Sequence, residues 1–235
     1  MTGSGERVVA VVAHPDDAEL LAYGTLRRYR QSGAEVTVVT ATHGGAGVSL
    51  TDAADGARIG HGQRMVETAA AWAGTGVDVT GLGLADGALR ADRDLITLIE
   101  QELAHRSCTT LITHSPRARN DHQDHLAIGT AAHNAATRLP QVRTVLFGQP
   151  HAPGARFTPT VAVDITPFLN DKITALARHR TQGGRWYLDA PYTRHRAADT
   201  AWRLRPHAAA EGHGFEGFET PLLTLLHHDA KETSR

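Results

Sequence analysis

Arg7-Val8-Val9-Ala10-Val11-Val12-Ala13-His14-Pro15-Asp16-Asp17-Ala18-Glu19-Leu20 is the stretch on which the fold turns. Val8 to Ala13 is a continuous apolar run, rich in β-branched residues and bounded by polar ones. That is the pattern of a strand buried on both faces of a parallel sheet. His14 sits at its carboxyl end, Pro15 stops a smooth continuation, and Asp16-Asp17 ahead of Ala18-Glu19-Leu20-Leu21-Ala22 reads as the acidic start of a helix. One imidazole and two carboxylates therefore meet at a strand-to-helix turn, on the edge where open parallel sheets bind ligands. The same aspartates equally suit plain capping of the helix that follows.

The elements downstream alternate. A helix from Asp17 to about Gln31 ends in Arg27, Arg28, Arg30 and Gly33, basic residues and a glycine being the usual helix stop. Glu35 to Thr40 is a second strand, leading into the glycine-rich segment Ala41 to Val48. That segment departs from Gly-x-Gly-x-x-Gly and has no helix directly after it, so it is weak evidence for phosphate binding. A helix is expected over 57–73, with Arg64 and Glu67 on one face at the spacing of a surface ion pair. Val77 to Leu82 is a third strand, followed by a turn, Leu84 to Leu89, that carries Asp86. Asp92 can cap a helix reaching Ala104, and Thr109 to Thr113 is a fourth strand ending in His114.

A second dense stretch comes next, His114-Ser115-Pro116-Arg117-Ala118-Arg119-Asn120-Asp121-His122-Gln123-Asp124-His125. It is an irregular loop that gives way to a helix from Asp124 to about Arg138, and it leaves the same sheet edge as His14. Val142 to Phe147 and Thr160 to Asp164 read as further strands, Thr166 to His179 as a helix and Thr220 to Leu226 as a final strand. This alternation predicts an α/β domain with a mostly parallel sheet spanning residues 1–235, less regular from 185 onward.

Composition narrows the class. The chain has 235 residues, 41% apolar and 21% charged, which suffices for a core without staples. A formal net charge of -1 gives no electrostatic case for nucleic acid or an anionic membrane. No apolar run approaches a membrane span and the first residues lack a signal-peptide pattern, while Cys108 is the single cysteine. These features point to the cytoplasm and to Cys108 as a buried small hydrophobe.

With Ala13-His14-Pro15-Asp16-Asp17 and His122-Gln123-Asp124-His125 both in view, the sequence resembles the PIG-L/LmbE-like family of zinc-dependent N-deacetylases. The resemblance runs from about Arg7 to Gln182, and Arg64-x-x-Glu67, Asp86-Gly87-x-Leu89 and His179-x-x-Gln182 add softer matches. Ala18 separates the aspartate pair from Glu19, where many relatives carry Glu directly after the pair. The resemblance implies a Rossmann-like three-layer fold, one Zn²⁺ and removal of an N-acyl group from an amino sugar, a small-molecule substrate. By position it implies His14, Asp17 and His125 as metal ligands and Asp16 as general base.

The chemistry asks for such a set independently. Three protein ligands leave a position open for water on zinc, and Fe²⁺ or another divalent ion suits similar donors. Asp16 is placed to take the proton of that water and return it to the leaving amine, and His122 to stabilise the oxyanion. Asp124 is expected to orient His122 or a ligand. Arg64 and Asp86 suit sugar hydroxyls, as a guanidinium fork and a carboxylate acceptor. The competing readings are an amidase cleaving thiol-sugar conjugates on the same fold, and a nucleotide-binding module without hydrolase activity. The sequence leaves a homo-oligomer open.

Overall fold

In the computed structural model, which describes residues 5–48, 53–60 and 62–224, the valine run forms strand β1 (Arg7–Val12). After it come α1 (Asp17–Gln31), β2 (Glu35–Thr42), α2 (Gln63–Trp72), β3 (Asp78–Leu84), α3 (Arg93–His105), β4 (Thr110–His114), α4 (Gln123–Thr137) and β5 (Thr144–Gly148). The chain continues through β6 (Val161–Asp164), α5 (Leu169–Leu176), α6 (Ala190–Leu204), α7 (Pro206–Ala210) and β7 (Phe215–Leu223). One seven-stranded sheet results, in the order β3-β2-β1-β4-β5-β7-β6.

Strands β1 to β5 pair in parallel, while β7 runs antiparallel to both β5 and β6. The order reverses between β1 and β4, so His14 and His114 flank the crevice at which doubly wound sheets bind ligands.

β1 is buried on both faces because successive side chains of a strand point to opposite sides. Val8, Ala10 and Val12 pack with Leu21 and Leu26 of α1 and Trp72 of α2. Val9, Val11 and Ala13 pack with Ile99 and Leu103 of α3 and Ile128 of α4. Those two cores are the interfaces of a three-layer α/β sandwich, the architecture expected. Cys108 is buried, as anticipated, and burial pushes its thiol up to about 12. Among the described residues no helix is long and apolar enough to cross a membrane.

Several boundaries differ from expectation. Helix α2 begins at Gln63 rather than at 57, behind Gly62 at φ 77°, a left-handed conformation that a helix cannot include. The helix expected from Thr166 to His179 splits into a 3₁₀ turn, Thr166–Phe168, and α5. The final strand starts five residues early at Phe215, and Leu225 and Leu226 lie outside the described residues.

The region beyond 185 is more regular than foreseen, because α6 fills 190–204. Its buried positions, Thr193, Ala197, Thr200 and Ala201, keep helical spacing. They are small or hydroxylated, so an apolar-period reading passes over them.

The returning strand is tied to the helix that carries the first motif. Helix α1 is kinked at Ala22, where φ is -150°. Just beyond the kink, the Glu216 carboxylate of β7 accepts from the backbone N–H of Gly24 (3.0 Å) and of Thr25 (2.8 Å) and from the Thr25 hydroxyl (2.6 Å). Lys172 of α5 donates to Glu216 at 2.8 Å and to the Leu20 carbonyl at 2.9 Å. Both charged groups are buried, so each depends on the other for compensation.

Candidate active site

The turn after β1 is strained where it matters. Asp16 has φ 115°, a conformation costly for any residue with a Cβ and found most often at functional sites. Its side chain makes no capping hydrogen bond to α1, which disposes of the plain capping reading. The carboxylate instead meets the Arg64 guanidinium at 3.1 Å. Arg64 also donates to the carbonyls of Pro15 (2.5 Å) and Gly44 (3.0 Å). A Cβ at residue 44 would overlap that guanidinium, so the glycine-rich segment after β2 makes room for an arginine rather than a phosphate.

Asp17 turns the other way. One oxygen accepts the His14 backbone N–H at 2.7 Å and lies 3.3 Å from His14 Nδ1, and the other lies 3.3 Å from His125 Nε2. His14 Nδ1 and His125 Nε2 are themselves 3.2 Å apart. The three groups thus adjoin one another at 3.2 to 3.3 Å, with a different Asp17 oxygen toward each ring.

The far nitrogen of each ring fixes its tautomer. His14 Nε2 lies 3.1 Å from Asp86 and 3.3 Å from Asp124, and His125 Nδ1 lies 2.8 Å from Asp121. Proton donation to those carboxylates leaves the lone pairs on His14 Nδ1 and His125 Nε2, the nitrogens that adjoin Asp17.

Other donor sets exist, namely His14 with His122 and His125, Asp17 with His114 and His125, and His14 with Asp86 and Asp124. Each shares a residue with the first set and differs in what else its atoms touch. His114 Nε2 lies 3.2 Å from the Ala13 backbone N and 3.3 Å from Asp17, and its ring stacks on His125 at 4.1 Å. His122 is exposed at the mouth, edge-on to His14 with ring centroids 4.8 Å apart. Asp86 and Asp124 face the nitrogen of His14 that points away from Asp17.

The electrostatics favour a cation. Burial alone would lower His14, yet the carboxylates of Asp124, Asp17 and Asp86 raise it to about 12. His125 is likewise opposed by burial but raised to about 9 by Asp17 and Asp121. Burial raises Asp17, but His125 and His114 hold it well below the usual carboxylate range. Buried imidazoles and carboxylates gathered in this way are donor types suited to a divalent cation.

Asp16 sits differently. Burial is the largest influence on it and raises it to about 6, against the pull of Arg64. That is the range suited to accepting a proton near neutral pH.

His122 caps α4, its Nδ1 accepting from the Asp124 backbone N–H at 3.2 Å. With Nδ1 an acceptor, Nε2 carries the proton and is a donor at the mouth of the cleft. Partial burial, with His14 and His125 beside it, lowers its pKa.

Seven of the eight residues singled out in the sequence line one cleft of about 900 Å³: His14, Asp16, Asp17, Arg64, Asp86, His122 and His125. Asp124 is fully buried behind them. It accepts from the backbone N–H groups of Gly87 (2.7 Å) and Leu89 (3.1 Å), and its carboxylate contacts His14.

Arg64 and Asp86 line the cleft, and each also has partners within the protein. Arg64 does not pair with Glu67, whose carboxylate accepts from the backbone and hydroxyl of Thr181 at 2.9 and 2.6 Å. Asp86 divides its oxygens between His14 and the Ala46 N–H at 2.8 Å.

Sequence reasoning missed Asp121, which stands next to the second motif, and His151; Arg185, Trp186 and Tyr187, which it left only as candidate pocket elements within 185–235, line the cleft with His151.

A family model described as PIG-L, GlcNAc-PI de-N-acetylase, matches residues 9–136, more than half of the chain. The chain belongs to the PIG-L family. Both motifs fall inside that PIG-L match, whereas β5 and everything after it fall outside. A curated relative, the 1D-myo-inositol 2-acetamido-2-deoxy-alpha-D-glucopyranoside deacetylase of Rhodococcus erythropolis, is 40% identical over 82 residues, 32% of this chain and 28% of that protein. The chain thus covers less than a third of the length of the curated relatives it matches.

Solved structures agree on the fold. The N,N'-diacetylchitobiose deacetylase of Pyrococcus horikoshii superposes with a TM-score of 0.75 at 19% identity, covering 92% of this chain and 84% of that one. The 4-carboxy-2-hydroxymuconate hydratase GalB of Pseudomonas putida superposes with a TM-score of 0.79 at 18% identity, covering 95% and 99%. One scaffold therefore carries both a deacetylase and a hydratase, and function has to be read from the site.

Proposed function

We propose that this chain is a metal-dependent N-deacetylase that hydrolyses the N-acetyl group of an amino sugar. The observation that carries the reading is the division of labour between adjacent aspartates. Asp17 adjoins both His14 and His125, while Asp16 is held by Arg64 with its pKa raised to about 6.

His14 Nδ1, His125 Nε2 and Asp17 would hold the ion, zinc being the first choice for two imidazoles and a carboxylate. When bound, it supplies Lewis-acid polarisation and an activated water at neutral pH. Asp16 accepts a proton from the attacking water, whose oxygen bonds to the acyl carbon, and returns that proton to the amine nitrogen as the C–N bond breaks. The products are a carboxylate and a free amine. His122 Nε2–H donates to the oxygen that gains negative charge, a contact worth about 3 kcal/mol in comparable sites. Arg64 and Asp86 keep Asp16 and His14 in place.

The substrate class follows from family membership and from the relatives, whose names specify an acetamido sugar linked to inositol. An N-acetylglucosamine-containing metabolite of bacterial thiol or secondary-metabolite synthesis, met in the reducing cytoplasm, fits both. The test is acetate and amine release by zinc-loaded protein from a panel of N-acetylated amino-sugar glycosides. Release that a chelator abolishes and zinc restores is the expected result. No release from any member, with the ion bound and the fold intact, would overturn the reading.

A further inference from the structure

The cleft has a second wall that the proposed hydrolysis does not use. His151, just beyond β5, stands edge-on to His125 with ring centroids 5.9 Å apart and stacks on Tyr187 at 4.3 Å. Tyr187 meets Trp186 edge to face at 5.6 Å, and Trp186 meets Tyr192 in the same way at 4.8 Å. A line of rings therefore leads from the candidate metal centre to the rim. Trp186 lies at its outer part, lining the cleft and 49% exposed.

A single exposed tryptophan needs no explanation in general. Trp186 differs from the other exposed large apolar residues, Val66, Trp202 and Leu223, because it alone of the four lines the cleft. Its backbone is also held on both sides. Arg185 donates to the Gly47 carbonyl at 2.5 Å and to the Tyr187 hydroxyl at 2.8 Å, which ties this turn across the cleft to the segment after β2. Leu188 is buried against Leu20 and Leu176. A large ring is thus kept open to the cleft on an anchored turn, an arrangement that lowers the ordering cost of binding.

Size points the same way. A cleft of about 900 Å³ is near the upper end of the ~300–1,000 Å³ common for drug-sized ligands and exceeds what one pyranose fills.

We infer that Trp186 is a specificity-determining platform for a second ring, carried by the group joined to the amino sugar and stacked against the indole while the acetamido group lies at the metal centre. The inference rests on the amino-sugar reading. The shared chemistry is a ring with a flat apolar face, which an aryl group or a cyclitol can supply.

The test compares N-acetylglucosamine, its phenyl glycoside and its cyclitol glycoside on zinc-loaded wild type, Trp186→Ala and Trp186→Phe. Trp186→Ala is expected to raise KM for the ring-bearing glycosides by about fivefold to tenfold. The KM for free N-acetylglucosamine, all kcat values and the melting temperature should stay unchanged, and Trp186→Phe should recover most of the loss. A larger effect on the phenyl arm identifies an aryl ring, and a larger effect on the cyclitol arm a saturated one. Equal effects on all three compounds, or none, would overturn the platform. Should wild type release acetate from none of them, the hydrolase reading falls by itself. Calorimetric Kd values for the same compounds then decide the platform: a Trp186-dependent gap between ring-bearing and free sugar upholds it, and no gap overturns it.

Discussion

The floor and the far wall of the cleft are built on opposite principles. On the floor, His14 and His125 each have one nitrogen held by carboxylates and the other turned to Asp17, so the imidazoles are oriented by hydrogen bonds from behind. On the wall, His151, Tyr187 and Trp186 meet one another through ring faces and edges, with Arg185 as their polar anchor. The floor lies inside the stretch matched by the family model and the wall outside it. Chemistry that must place charge to within fractions of an ångström calls for locked donors. Selection of a substrate needs only surface of the right shape, which can change while the reaction stays the same.

If the floor is the reacting half, damage there should be far larger than damage to the wall. The largest effect is expected from His125→Ala, which should reduce bound metal, and turnover with it, to background by elemental analysis and acetate assay. Full metal occupancy in that variant would break the comparison at its root. Asp16→Asn comes next. It should keep the ion and the fold while turnover falls about 10²-fold to 10⁴-fold.

Removing a carboxylate from behind a ligand should cost less. Asp121→Asn is expected to weaken metal affinity by about 10-fold to 100-fold, read by competition with a chelator. An unchanged affinity would mean that the Asp121 contact to His125 is incidental.

The floor should also set the pH dependence. Asp16 must be ionised to accept a proton, and burial raises its pKa to about 6. kcat/KM should therefore be level above that value and fall about tenfold per unit below it. Asp16→Asn should abolish that limb. A limb that persists in the variant would assign the titration to another group.

How far the sequence could be read follows the same division. His14, Asp16 and Asp17 belong to one strand-to-helix turn and His122, Asp124 and His125 to one loop-to-helix join, so short-range patterns place them on the sheet edge. The partners that give them their roles come from afar. Arg64 meets Asp16 across 48 positions, and Asp86 meets His14 across 72. Spacing on a helix offered Glu67 as the partner of Arg64, and only packing sent Glu67 to Thr181 instead. Asp121 was within reach, since a carboxylate four residues before His125 on a helix entry can meet its ring. The wall was not. Its rings come from residues 151, 186, 187 and 192, in a loop, a short turn and a helix whose buried face is threonine and alanine. None of those has a periodicity that marks it.

The most direct test of the account is the metal content of two neighbouring isosteric variants, Asp16→Asn and Asp17→Asn, measured side by side by elemental analysis after identical zinc loading. The substitutions differ by one position and each removes one charge, so bulk electrostatics affects them alike. The geometry predicts about one ion per chain in Asp16→Asn and a marked loss in Asp17→Asn. Loss in Asp16→Asn with retention in Asp17→Asn would contradict the assignment of ligand and base.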